Sequence, residues 1–486
     1  MTETDIRAPR TRGADEDDAR LVLMRRKLAE RGLQAQGQTQ ANDGTPVVPV
    51  LSDGQRRMWF VQTAEPAGAL LNVCVSFAIT GELDHQRLQD AVTAVAGRHR
   101  VLRTTYRADA TGEPGLTVHD QLTPGWSSHD LSELTESSRA LRLEVLAQRE
   151  FGTPFQLDTE SPLRISLIRV APAEHIMLLT AHHIAWDDAS WQVFFNDLTR
   201  AYDGEQLAEV IPAPVPAEDH TEALEYWRSV LAAPPEPLEL PGPHGSLVPT
   251  GHRSQRVTRR IGADTVTRIA DLARQTGATP YTVLLAAFGA LLHRYTHADD
   301  VLVATPVLNR SGGTEEALGY YGNTVALRLR PESRLGFGEF VTQAKDITHG
   351  AFAHQQINLD RVVRELNPDR RHGVERLARV SFGAREADGR GFCPEGITCR
   401  RAEYRGHQTQ LPLGFMVEFD DDGALVEAEY LTEILDATLA DQLLRHYVVL
   451  LESALADPAR PLAELALMDD HDADWLRQMA AGEQFS

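Results

Sequence analysis

One stretch limits the fold of this 486-residue chain more than any other: EHIMLLTAHHIAWDDASWQVFFNDLTRAY, residues 174–202. Its first half is a short apolar run leading directly into polar residues, the pattern of a buried strand. Its second half puts Trp191, Phe194, Phe195 and Leu198 on one side of a helix. Between them stand His182, His183, Trp186, Asp187 and Asp188, where a strand ends and a loop begins. Strand, polar loop and amphipathic helix in that order predict a mixed α/β architecture with chemistry at the strand end.

The same alternation runs along the chain. VCVSFAI reads as a strand, and the helix after it has Asp84 as N-cap and an apolar face of Leu88, Val92 and Val95. TPYTVLLAAFGALLHRY predicts a helix capped by Thr279, with Pro280 in its first turn and Leu284, Leu285, Phe288 and Leu292 facing inward. DDVLVATPV follows as a strand. A chain of this length exceeds one small core, so two packed lobes are expected. The divisions are 1–44, an extension with Leu21, Met24 and Leu28 at helical spacing; 45–212, a first lobe; 213–250, a proline-rich crossover; 251–468, a second lobe; and 469–486, a trailing linker.

Several function classes are disfavoured. A net charge of -22 argues against a phosphate-tracking surface, so no nucleic-acid partner is expected. Cys74, Cys393 and Cys399 are too few and scattered for a disulfide framework or a four-ligand zinc site; packing roles and a reducing compartment are expected, and no metal. No apolar run approaches the roughly 18 residues of a membrane span, and MTETDIRAPR lacks the apolar core of a signal peptide, so a cytoplasmic protein without membrane attachment is expected.

His183 and Asp187 stand four apart. A neutral histidine can take a proton from an attacking amine or hydroxyl, and a nearby carboxylate can fix its surroundings. Two other readings are a histidine pair satisfied in a core, and a metal site. Neighbours on an extended strand point to opposite faces, which works against joint chelation by His182 and His183. One ring then faces a cavity while the other buttresses it.

HHIAWDD resembles the HHxxxDG signature of the condensation domains of nonribosomal peptide synthetases, and further stretches resemble that family's motifs in order. LSDGQRRMWF matches the opening motif through Ser52, Gln55, Arg57 and Trp59; GRHRVLRTTY matches through Arg98, His99, Leu102, Arg103 and Thr104. GYYGNTVALRLR matches through Asn323 and Thr324, and the residues from Leu425 to Leu451 resemble the closing strand and helix. Together these cover about Pro46 to Leu467.

The resemblance implies two lobes like chloramphenicol acetyltransferase, set as a V-shaped pseudo-dimer with mixed sheets, and a histidine loop where two tunnels meet. It implies an acyltransferase joining a donor thioester to an acceptor amine, in secondary-metabolite biosynthesis. Both reactants would ride on 4'-phosphopantetheine of carrier proteins, one upstream and one downstream, beside an adenylation domain. The chain itself would be monomeric and bind no cofactor covalently. By the same resemblance His183 orients the amine or accepts its proton, and His182 supports it. Asp187 holds the loop with Arg310 of PVLNR as its partner. Trp186, Asn323 and Thr324 fall at a tunnel or lobe interface, the last two alternatively satisfying backbone groups. Arg57, Trp59, Arg98 and Arg103 are expected to be structural.

Departures stand beside these matches. Asp188 replaces the motif glycine, LPL at 411–413 replaces FDL in the bridging region, and the motif expected after the first lobe is missing. Two readings follow: an active amide-forming enzyme, or its ester-forming variant, and a non-catalytic platform that recruits carrier proteins or tailoring enzymes.

Overall fold

The computed structural model describes residues 51–472 except 111, 213–219, 311–312, 358, 360, 363–377, 388–390, 405 and 470–471. The helix expected near Leu21–Leu28 and most of the trailing linker lie outside the described residues.

The first half runs α1 (Asp53–Ala64), β1 (Asn72–Thr80), α2 (His85–Arg98), β2 (Thr104–Ala108), β3 (Pro114–Val118), β4 (Gly125–Asp130), α3 (Glu136–Gly152), β5 (Leu163–Ala171), β6 (Glu174–His182) and α4 (Asp188–Tyr202). After α5 (Thr221–Val230) come β7 (Ser254–Gly262), α6 (Ala263–Thr276), α7 (Pro280–Thr296), β8 (Val301–Val307), β9 (Asn323–Leu329) and α8 (Phe337–Ala353). The second half closes with β10 (Val380–Glu386), β11 (Thr398–Ala402), β12 (Leu413–Asp420), β13 (Gly423–Leu431) and α9 (Ala437–Ala456). Helix starts follow local chemistry: Asp84 accepts from the Arg87 N–H at 3.0 Å, and Thr279 accepts from the Thr282 N–H at 3.2 Å with Pro280 in the first turn.

Two mixed sheets organise the halves. The first has the order β11-β1-β6-β5-β4, with β1 and β6 antiparallel and β4 and β5 parallel. The second has the order β7-β13-β12-β10-β8-β9, with β10 and β12 parallel. Each buries one face under helices: Leu88, Val92 and Val95 of α2 share a core with Leu163 and Leu179, while Leu284 and Phe288 of α7 pack among Val303, Phe382 and Phe415. Removing these apolar faces from water is what holds each half together.

One strand changes sheets. β11 belongs by sequence to the second half, yet it pairs antiparallel with β1, from Ser76 opposite Ala402 to Thr80 opposite Thr398. The Ser76 hydroxyl donates to the Ala402 carbonyl at 2.6 Å. The exchange covers a sheet edge that would otherwise expose unpaired backbone groups.

The other face of the second sheet lines a cavity that residues of α4 also border. Alternation along β10, β12 and β13 turns Ser381, Gly383 and Arg385, then Gly414, Met416 and Glu418, then Glu427 and Glu429, away from the core residues between them. That face becomes the wall of the cavity described next.

Candidate active site

His182 is the last residue of β6, and His183 opens a short 3-10 turn over His183–Ala185, its N–H donating to the Leu71 carbonyl at 2.8 Å. The strand's alternation therefore sends the two rings to different places. His182 is fully buried; the Ile184 N–H donates to its Nδ1 at 3.1 Å, so its Nε2 carries the proton and meets Gln62 Oε1 at 3.1 Å. Burial pushes its pKa down to about 3, which keeps the ring neutral with both nitrogens occupied.

His183 lines a cavity of about 670 Å³. Its Nδ1 lies 2.5 Å from the Trp186 carbonyl, and because a carbonyl only accepts, Nδ1 must carry the hydrogen. In the neutral ring Nε2 then holds the free lone pair. Burial lowers the His183 pKa, opposed by the Trp186 carbonyl and the Asp187 carboxylate. Tyr320 packs edge-on against the ring, with centroids 5.0 Å apart. A Cβ on Gly54 would fall 2.5 Å from the Tyr320 ring, so the glycine of α1 keeps that aromatic seated against His183.

Asp187 turns away from the reaction space. It caps α4 by accepting from the Ser190 N–H at 3.0 Å and the Ser190 hydroxyl at 2.7 Å. Arg310, from the second half, donates through Nη2 to Oδ1 at 2.6 Å and through Nε to Oδ2 at 3.1 Å. Arg310 Nη1 also donates to the carbonyls of Thr314 and Ala317, both at 2.7 Å. The paired side chains are only 4% and 7% exposed. This is a two-point charged bond that joins the histidine loop to the other half.

Asp188 does the opposite. It is exposed at the start of α4, and Arg385 Nη1 donates to its Oδ1 at 2.6 Å. Arg385 also meets Glu418 at 2.8 Å, and Arg401 reaches the same Glu418 at 3.2 Å. The residue in place of the motif glycine thus carries a charge across the cavity to β10.

Trp186 departs from the tunnel half of its expectation, although the cluster that buries it includes Leu318 of the second half. It lies fully buried against Trp191 and Phe194 at centroid distances of 4.6 and 5.4 Å and does not line the cavity, because the 3-10 turn rotates it into the core. Asn323 donates to the carbonyls of Gln355 and Ile357 at 2.6 and 2.7 Å and accepts from the Thr324 N–H at 2.8 Å, which leaves its amide spent on backbone. Thr324 lines the cavity. Arg98 and His99 both bind Asp197 of α4, at 2.8 and 2.7 Å, and Arg103 donates to the Ala96 and His119 carbonyls. Cys393 is exposed, so packing accounts only for the other two thiols. Among the described residues no group of three or more His, Cys, Asp or Glu could hold a metal ion, and no helix is long and apolar enough to cross a membrane.

Sequence reasoning missed the supports of the loop. Gln55 donates to the Ile184 carbonyl at 3.1 Å while completing a capping box with Ser52, and Gln62, seven residues on, holds His182. Their spacing of two helical turns on one face of α1 was the available signal. Tyr320 and Arg385 carried none, since each reaches the site from another element.

Buried neutral histidines make stability depend on pH. The folded pKa values of His182 and His175 are lowered to about 3 and 4, with burial the largest cause, against about 6.5 when unfolded. Above pH 6.5 both states are neutral and stability is complete. As pH falls below 6.5 the unfolded chain binds protons that the folded chain refuses, and stability declines until the folded pKa is passed. For fully buried His182 the slope approaches about 1.4 kcal/mol per pH unit. Urea midpoints should hold from pH 7.5 to 6.5 and drop at pH 5.5; a flat midpoint down to pH 5 would show that these rings protonate in place.

Comparison with known proteins places this geometry. Residues 47–476 match the family model of the condensation domain. The chain is 28% identical over 432 residues to tyrocidine synthase 3 of Brevibacillus parabrevis, covering 86% of this chain and 6% of that protein. It is 31% identical over 458 residues to phosphinothricin tripeptide synthetase PhsB of Streptomyces viridochromogenes, covering 90% and 38%. The chain thus spans less than half the length of these curated relatives. The first condensation domain of the calcium-dependent antibiotic synthetase has the same fold, with a TM-score of 0.73, 21% identity and coverage of 87% of this chain and 100% of that one. With the family model, the relatives and the fold in agreement, the chain belongs to the condensation domains of nonribosomal peptide synthetases.

Proposed function

We propose that the chain forms an amide bond between two carrier-bound acyl groups, with His183 at the reacting amine. The observation that carries this reading is the tautomer of His183: its Nδ1–H is held by the Trp186 carbonyl, and the ring lines the cavity between the halves. In the reaction the acceptor's α-amine attacks the donor thioester carbonyl, a C–N bond forms and the C–S bond breaks. The amine proton passes to His183 Nε2 and from there to the departing thiolate. A base with a lowered pKa is neutral at pH 7 and ready to accept, while the α-amine, with a reference pKa of about 7.7–8.0, is itself partly neutral. Holding both reactants in one cavity supplies the rest of the acceleration by orientation. No covalent enzyme intermediate is required, and the phosphopantetheine arms arrive with the substrates from upstream and downstream carrier proteins.

Mixing donor-loaded and acceptor-loaded carriers with the chain should transfer the donor acyl mass to the acceptor carrier, read by intact-protein mass spectrometry. The second reading, a recruiting platform, is favoured by the Asp188 bond to Arg385 across the cavity. The Asp188→Gly variant separates the two. Both partners are partly exposed, at 47% and 29%, so the substitution should leave stability within about 1 kcal/mol. On the condensing reading the wild type already forms product and Asp188→Gly changes its rate by less than about tenfold. A wild type without product, and a glycine variant that makes it, would establish the platform.

A further inference from the structure

Among the described residues, the cavity wall built by the second sheet contains one carboxylate that accepts no hydrogen bond and holds only a shared ion-pair contact. Asp188 is held by Arg385 at 2.6 Å, Glu418 by Arg385 and Arg401 at 2.9 and 3.2 Å, and Glu429 by the Ser254 hydroxyl at 2.7 Å. Glu427 receives no hydrogen bond among the described residues. Its one ion-pair contact is Arg256 Nε at 3.4 Å, which lies as far from Glu429 and so is shared between two carboxylates. Register gives it no cation directly alongside: on the neighbouring strands its partners are Met416 and Thr258, while Arg401 and Arg385 act on it only through their charge.

The side chain of Glu427 is only 19% exposed and lines the same cavity as His183. A largely desolvated carboxylate whose one ion-pair contact is long and shared is costly, and its free energy falls when a further cation supplies hydrogen bonds. Burial raises its pKa, Arg256 and more weakly Arg401 oppose the rise, and Glu429 and Glu403 add to it. β13 lies two strands from β10, whose Arg385 reaches Asp188 beside the histidine loop. At about 4.8 Å per strand the lateral offset is roughly 10 Å, so Glu427 lies away from the reacting centre at the reach of a long substrate side chain. Gly414 of β12, the strand between them, lines the cavity, with the Ser381 hydroxyl packed over it.

Resting on the condensing reading above, we infer that one of the two acyl groups carries a cationic side chain, an ammonium or guanidinium, which binds Glu427. The specificity of the chain for a basic residue then resides in β13 and not in the histidine loop.

Binding tests this apart from turnover. Pantetheine thioesters of lysine and norleucine, N-acetylated as donors and with a free α-amine as acceptors, are titrated calorimetrically into the full chain. Norleucine keeps the α-amine and the chain length and loses only the side-chain charge. The lysyl thioester should bind about tenfold or more tightly than its norleucyl counterpart on one of the two sides. Glu427→Gln, with folding checked by its melting temperature, should bring the two affinities within about twofold; Glu427→Met, matching the neighbouring Met416, should do the same. Equal affinities in the wild type, a preference that survives both substitutions, or no binding of the lysyl thioesters would each overturn the inference. Product on carriers is scored separately, so failure of the condensing reading would show as charge-selective binding without product.

Discussion

His183→Ala should leave a folded protein that has lost product formation by about 10²–10⁴-fold, the range for removing a positioned proton acceptor. Folding survives because the ring faces a cavity and its one hydrogen bond among the described residues goes to a turn carbonyl that water in the cavity can serve instead. His182→Ala should behave in the reverse manner. It strips a partner from both the Ile184 N–H and Gln62 in a sealed core, so its cost falls on stability, about 1–3 kcal/mol for each buried group left unsatisfied. Intact-protein mass spectrometry of the acceptor carrier gives the first quantity and urea unfolding gives the second. The wild-type kcat/KM should also fall on the acid side in two steps, first as the acceptor α-amine with its reference pKa of about 7.7–8.0 takes a proton, then more steeply below about pH 6.5 as His183, whose pKa burial lowers, does the same. If His183→Ala keeps its rate within a few-fold, the ring serves only to shape the cavity and the amine must lose its proton elsewhere.

Arg310→Met should cost about 3–5 kcal/mol, the usual penalty for stranding one member of a buried ion pair. The case is severe because Asp187 has both oxygens on Arg310, and Arg310 in turn holds the Thr314 and Ala317 carbonyls. Cavity chemistry should fail with it, since the pair joins the loop after His183 to the segment after β8. The double substitution Asp187→Leu with Arg310→Met should recover part of the loss, because two apolar groups leave no uncompensated charge. Recovery is incomplete: Asp187 is also the N-cap of α4, a role worth about 1 kcal/mol. Urea midpoints of the three variants give the coupling directly. Arg310→Met unfolding at the wild-type midpoint would show the pair to be energetically idle.

The parts of this protein that were legible in its sequence are those governed by neighbours along the chain. Asp84 and Thr279 mark helix starts because a cap bonds an N–H three residues on, and the apolar spacing of Leu88, Val92 and Val95 marks a buried face. Alternation separates His182 from His183 for the same local reason. The Arg310 position opposite Asp187 came from an ordered series of motifs, since nothing within either segment names the other.

What only the tertiary structure decided is where separate segments meet. Nothing in Thr398–Ala402 names a partner, and β11 joined the first sheet because that edge of β1 was open to it. Trp186 sits in the core because a 3-10 turn, held by Gln55 from another helix, rotates it there. Asp188 reads as a lost glycine until Arg385 is brought beside it, and Glu427 reads as one more strand carboxylate until its neighbours prove to be Met416 and Thr258. Caps and periods act over a few residues of one chain segment, whereas charge pairing and burial depend on distances in space. The sequence by itself therefore determined the elements and placed His183 at a strand end, and the packing of the two halves determined what surrounds it.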